Sequence, residues 1–191
     1  MKWTIGALTR PRPGEAENGD SPVVLTSDRV TWIGIVDALG HGGGAAKVAA
    51  LSMQNLESAP LEDGIESMMR VLHQGLAGTR GAAAILCRLE GDSIEGCGVG
   101  NVFFHCGPTR VPSVIGEGVL GVRLRRLRSF TSKLNRSDRI VLTSDGVAQN
   151  FSLSDFRDLS PNETCSEIIM RHGLAHDDAT VVVVDAEGEV D

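Results

Sequence analysis

The sequence predicts an α+β fold in which two antiparallel β-sheets form a central sandwich flanked by helices, an α-β-β-α layering. Three observations point there. Two consecutive helical patterns lie between blocks of strands. The middle third is strand-rich with short turns. Helices and strands do not alternate one-to-one, as a parallel sheet would require.

In chain order, Trp3, Ile5 and Ala7 share one face of an opening strand, and a Pro/Gly loop runs from Arg10 to Gly19. Val23-Val24-Leu25 and Thr31 to Val36 read as a hairpin around the polar turn Ser27-Asp28-Arg29. The second of these runs is apolar on both faces, which suits a central strand covered on both sides. An Ala-rich helix is expected from Ala45 to Leu56, closed by Pro60. Ile65, Met68, Met69, Leu72 and Leu76 then fall at i, i+3, i+4, i+7 and i+11, one apolar helical stripe made for core packing.

Strands follow at Ala82 to Leu89, Ser93 to Val99 and Val102 to Cys106, the first two joined by a Gly91-Asp92 turn. Leu120 to Phe130 reads as a strand whose alternation slips between Arg125 and Arg126, as at a β-bulge. Ile140-Val141-Leu142 is a short buried strand, Glu163 to His172 a helix with Pro161 near its start, and Thr180 to Val184 a β-branched final strand. Trp3 and Trp32 are expected in the core.

The composition fits an ordinary globular chain. It has 191 residues, 41% apolar and 23% charged, which suits one domain spanning residues 1–191. No apolar run approaches the roughly 20 residues of a spanning helix. The opening Met1-Lys2-Trp3-Thr4-Ile5-Gly6 lacks the apolar core of a secretory leader, so a cytoplasmic protein without membrane attachment is expected. Cys87, Cys97, Cys106 and Cys165 form no Cys-x-x-Cys pair, and so read as idle thiols. A net charge of −7 argues against a nucleic-acid binder. One basic stretch, Arg123 to Arg139, runs against that charge; it reads as a solvated face or as a docking patch for an acidic or phosphorylated partner. Monomer is the default expectation.

The acidic residues carry the chemistry. Asp20, Asp37, Asp145 and Asp177-Asp178 each stand at a strand end or turn, beside Gly or another carboxylate. A carboxylate at the end of a buried strand is costly unless paired or metal-bound. Several of them from distant segments supply the oxygen ligands that Mg²⁺ and Mn²⁺ prefer. The Gly-rich bend after Asp37 would let a backbone carbonyl turn toward a cation.

Taken in order, Asn18-Gly19-Asp20, Asp37-Ala38-Leu39-Gly40-His41-Gly42, Ser144-Asp145-Gly146 and Asp177-Asp178-Ala179-Thr180 resemble the motifs of the metal-dependent type-2C (PPM) serine/threonine phosphatases. The hexad at Asp37 is most similar to the SpoIIE-like branch, and the short chain resembles that branch's stressosome phosphatases. The resemblance implies a protein-serine/threonine phosphatase of the type-2C fold using two divalent cations, Mn²⁺ or Mg²⁺. It implies that Asp37 bridges the ions, that the Ala38 carbonyl binds one, that Asp145 and Asp177 complete the other's shell, and that Asp20 contributes nearby or through water. Asp178 ranks below Asp177. The implied substrates are phosphorylated STAS-domain proteins of the stressosome.

The chain departs from the family pattern in places. Ala38 replaces a usual Gly, and Leu39 stands where some relatives carry a catalytic His. His41 is offset from that position, so it is read as capping or packing the turn ahead of donating a proton. Asn101 replaces an acid tied to a third metal, so two ions are expected. Arg10 or Arg12 could grip phosphate, although their Pro-flanked loop favours solvated charge. His176 could orient a ligand beside Asp177. Other readings are dephosphorylation of an anti-sigma-factor antagonist, a catalytically weak phosphoprotein binder, and a metal-dependent nuclease or nucleotide hydrolase.

Overall fold

In a computed structural model of the chain, residues 1–187 are described; the last four residues of the expected domain lie outside them. The strands are β1 (Lys2–Arg10), β2 (Asp20–Thr26), β3 (Thr31–Ala38), β4 (Ala82–Glu90), β5 (Ser93–Val99), β6 (Val102–Gly107), β7 (Ile115–Gly116), β8 (Gly118–Val119), β9 (Arg123–Leu124), β10 (Ser129–Lys133), β11 (Arg139–Ser144) and β12 (Ala179–Glu187). The helices are α1 (Gly43–Ser58), α2 (Ile65–Gly75) and α3 (Pro161–His172).

One sheet has the order β1-β12-β11-β6, and the other β10-β5-β4-β3-β2 with β7 added in parallel to β5. All other pairings are antiparallel. The two-residue period of a strand divides the core. Ile33 and Ile35 of β3 join Ile140, Leu142, Val182 and Val184 in the layer between the sheets. Trp32 and Val36, pointing the other way, pack with Leu56, Met68, Met69 and Leu72 beneath α1 and α2. Val181 and Val183 meet Cys165 and Ile168 beneath α3. Four layers result, α-β-β-α; of the opening stripe, Trp3 and Ile5 are only partly buried against the layer between the sheets, and Ala7 is exposed.

Local chemistry sets the boundaries. α3 begins with a capping box, Ser160 and Glu163 each accepting from the other's backbone N–H, with Pro161 in the first turn. The β2–β3 turn is held by Ser27, whose Oγ accepts from the N–H groups of Arg29 and Val30. Trp32 donates its indole N–H to the Leu61 carbonyl, tying β3 to the loop before α2.

The expected strand from Leu120 to Phe130 is corrected. The chain reverses at Gly121, whose φ of 84° lies in the left-handed region, and the slip between Arg125 and Arg126 falls in residues 125–128, which join no strand. β8 and β9 form a two-stranded ribbon about the Gly121 turn; Leu120 makes one isolated bridge to Ala82 of β4, and Ser129 onward joins the large sheet as β10. No described helix is long and apolar enough to cross a membrane.

Candidate active site

The β2–β3 ladder sets Asp20 directly opposite Asp37. Asp145 follows the end of β11, and Asp177-Asp178 immediately precede β12, which pairs with β11 in the four-stranded sheet opposite β2 and β3. Adjacent ends of both sheets thus deliver acids to one place. Gly146 makes the approach possible: a Cβ there would run into the backbone carbonyl of Asp178. The Asp-Gly dipeptide is therefore a packing requirement between two acid-bearing segments.

Asp37, Asp145 and Asp177 line a common cavity of about 340 Å³ with Asn101, His41, His176, Leu39, Ala83, Gly40, Gly100, Gly118 and Val119. Asp20 and Ala38 lie behind this wall, both buried. The Ala38 N–H donates to the Gly19 carbonyl, which fixes the end of β3 against the loop before β2.

Crowded, half-desolvated carboxylates resist ionising together. Burial, followed by the charges of Asp20, Asp145 and Asp177, pushes the Asp37 carboxyl up to about 9. Burial likewise raises Asp20 to about 7, against the hydrogen bonds from Ser144 and Thr180, with Asp178 and Asp145 adding to the rise. Asp145 is raised by burial and by Asp177, while a hydrogen bond from Asn101 opposes the shift.

Among the described residues, no three His, Cys, Asp or Glu side chains are drawn into a closed cage around a single point. The donor set nonetheless suits a hard divalent cation. Mg²⁺ retains several waters and asks for only one or two carboxylates, and here carboxylates that burial and mutual repulsion penalise line one cavity.

The partners of several supporting groups escaped the sequence reading. Ser144 Oγ donates to Asp20 Oδ2 at 2.7 Å and accepts the Thr180 N–H at 3.0 Å, so one hydroxyl joins the two sheets behind the acids. Asp178 accepts the N–H groups of Arg12 at 2.7 Å and Gly19 at 2.8 Å, and its task is to fasten the loop between β1 and β2. On the cavity rim, His41 Nε2 lies 2.7 Å from Arg12 Nη1, and His41 Nδ1 lies 3.0 Å from Glu15 Oε1. A guanidinium only donates, so Nε2 accepts and Nδ1–H points to Glu15. His41 is a positioning residue for Arg12. Arg10 instead donates to the Leu174 carbonyl. Ser144 stands inside a motif visible in the sequence, but the bonds of Arg12 and Asp178 span 29 to 166 residues and left no local signal.

No protein-family model and no curated protein sequence matches the chain. Solved structures do. A chain from "The bacterial stressosome: a modular system that has been adapted to control secondary messenger signaling" is 27% identical, covering 96% of this chain and all of that one, with a TM-score of 0.90. RsbX in complex with magnesium is 20% identical, covering 96% and 94% of the two chains, with a TM-score of 0.83. The PP2C phosphatase domain of SpoIIE from Bacillus subtilis is 19% identical at a TM-score of 0.77, and this chain spans 63% of that one. The fold is that of the type-2C phosphatases.

With the type-2C fold in hand, the α-β-β-α layering expected from the sequence stands, including helices on both outer faces. The match to RsbX covers nearly the full length of both chains, so the resemblance is not confined to the acidic motifs.

Proposed function

We propose that residues 1–191 form one phosphatase domain, a cytoplasmic, monomeric, metal-dependent protein-serine/threonine phosphatase. The observation that carries this reading is the meeting of Asp37, Asp145 and Asp177 in one cavity of a type-2C fold, with Asp20 paired to Asp37 behind it.

In this reading Asp37, Asp145, Asp177 and the Ala38 carbonyl hold two divalent cations, Mn²⁺ or Mg²⁺, and Asp20 supports them from behind. When bound, such ions supply a water of lowered pKa as nucleophile and neutralise charge on the phosphoryl oxygens. The protein's own groups prepare the site. Ser144 keeps Asp20 turned toward Asp37, Asn101 holds Asp145, and Gly146 allows Asp145 and Asp177 to approach. Arg12, aligned by His41, offers donors to a phosphoryl oxygen at the rim. The hydrolysis asks no covalent step of the protein. The four cysteines are outside the cavity wall, and burial pushes their thiols up, Cys97 to about 11 and Cys106 and Cys165 to about 12.

The finer role we propose is the feedback dephosphorylation of STAS-domain stressosome proteins, supported by the likeness to RsbX and to the stressosome chain. A phosphorylated anti-sigma-factor antagonist is the second reading, supported by the likeness to SpoIIE. The test is hydrolysis of p-nitrophenyl phosphate with Mn²⁺ or Mg²⁺. Activity is expected to vanish with EDTA and to fall by about a hundredfold or more in Asp37→Asn. Activity that survives both would overturn the reading. Kinase-treated STAS-domain proteins then decide between the two substrates.

A further inference from the structure

We propose that the arginine-bearing ribbon beside the cavity is a docking surface for acidic residues flanking the phosphorylated side chain of a protein substrate. This deepens the phosphatase reading and rests on it.

Gly118 and Val119 of β8 form part of the cavity wall, and Arg123 lies directly across the ribbon from Val119. The ribbon is anchored from beneath. Leu120 and Leu127 are buried and Leu124 is partly buried, all three in the cluster under α1 and α2. With the leucines turned inward, Arg123, Arg125, Arg126 and Arg128 are left exposed. All four side chains are therefore exposed to solvent, Arg123 one strand away from the cavity wall and the other three in residues 125–128 that follow the ribbon.

A chain of net charge −7 places four arginines within residues 123–128. Arg125 meets Glu117 at 2.8 Å, an exposed pair. Among the described residues, Arg123, Arg126 and Arg128 have no carboxylate within ion-pair distance. The cavity floor is a cluster of carboxylates that would repel an acidic substrate segment, whereas the ribbon attracts one. A phosphorylated residue can enter the cavity while acids on either side of it meet the arginines. Guanidinium groups suit this task because their forked donors match carboxylate and phosphate oxygens. Nucleic acid fits less well, since the basic patch is small and the chain has few aromatic residues, 4%, and no Tyr for stacking bases.

The expected signature is selectivity for protein substrates that small substrates do not share. Rim charges act chiefly through association rate and salt dependence. Two phosphoserine peptides, one flanked by Asp and Glu and one by Ser and Ala, would be titrated by fluorescence anisotropy at low and high salt. The wild-type protein and the charge reversals Arg126→Glu/Arg128→Glu and Arg123→Glu would be compared, with p-nitrophenyl phosphate turnover measured alongside. The wild type should prefer the acidic peptide at low salt and lose that preference at high salt. Charge reversal should weaken the acidic peptide by about tenfold and leave the neutral peptide and p-nitrophenyl phosphate turnover unchanged. Arg126→Ala/Arg128→Ala should fall between, which separates charge from damage to the fold.

Equal wild-type affinity for the two peptides would overturn the proposal, as would equal losses for both peptides. Tighter binding of a single-stranded RNA of matched length would overturn it too. Absent p-nitrophenyl phosphate turnover in the wild type would instead sink the phosphatase reading, and the peptide preference would still decide the docking surface.

Discussion

Asp20 and Asp37 face each other across the β2–β3 ladder, and Ser144 from the opposite sheet fastens the first of them through a 2.7 Å hydrogen bond. Two acids on neighbouring strands of one sheet, one of them secured from the other sheet, form a crowded carboxyl pair at the edge of the sandwich.

Without divalent cations the protein should lose stability as pH rises. Asp20 and Asp37 titrate at about 7 and about 9 in the folded chain, against an ordinary 3.8. The folded state therefore binds more protons than the unfolded state between about pH 4 and pH 9, so stability declines across that window. Thermal melts in EDTA should show a falling Tm from acid to alkaline pH. Mn²⁺ should raise Tm most at the alkaline end, and Asp37→Asn should flatten the profile. A flat EDTA profile for the wild type would contradict the burial of these acids.

Ser144→Ala removes a hydroxyl that donates to Asp20 and accepts the Thr180 N–H. Leaving buried groups without partners costs about 1–3 kcal/mol. Supporting groups of this kind typically carry about 10–100-fold of metal affinity or activity. Urea denaturation and a Mn²⁺ titration of turnover would read the two effects. Ser144→Thr should recover part of both.

Gly146→Ala should damage the site more than its single methyl group suggests. The new Cβ would collide with the Asp178 backbone carbonyl and push Asp145 away from Asp177. Overpacking of this kind costs about 1–3 kcal/mol. A raised requirement for metal, seen as a shifted Mn²⁺ activation curve, is the expected readout. An unshifted curve would show that this approach is not needed.

Arg139 offers a contrast remote from the chemistry. It grips Asp185 through two bonds at 2.6 and 2.7 Å, and also donates to Thr164 and to the carbonyls of Phe156 and Leu159. Arg139→Ala leaves Asp185 without its charge partner, a loss of about 3–5 kcal/mol. Chemical denaturation should show that loss. Turnover per folded molecule at low temperature should be unchanged.

The sequence exposed most of the architecture because strand and helix periodicities are local. The stripe through Met68, Met69 and Leu72, and the alternation that sends Ile33 and Ile35 one way and Trp32 and Val36 the other, reflect backbone geometry alone. The reading failed from Leu120 to Phe130, where a reversal at Gly121 and three inward leucines imitate a slipped strand. It also missed Ser144 and the Arg12–His41–Glu15 chain, whose meaning lies in partners far away along the chain.

The sequence by itself determined the helices, most of the strands and the acids at strand ends, since each follows from neighbouring residues and the chemistry of side chains. Only the tertiary structure decided which acids share a cavity, that Asp178 fastens a loop while Asp177 faces the site, and that the arginine-bearing ribbon borders it. Those are facts of sheet register and of how two sheets stack, and register is fixed by burial summed over the whole core.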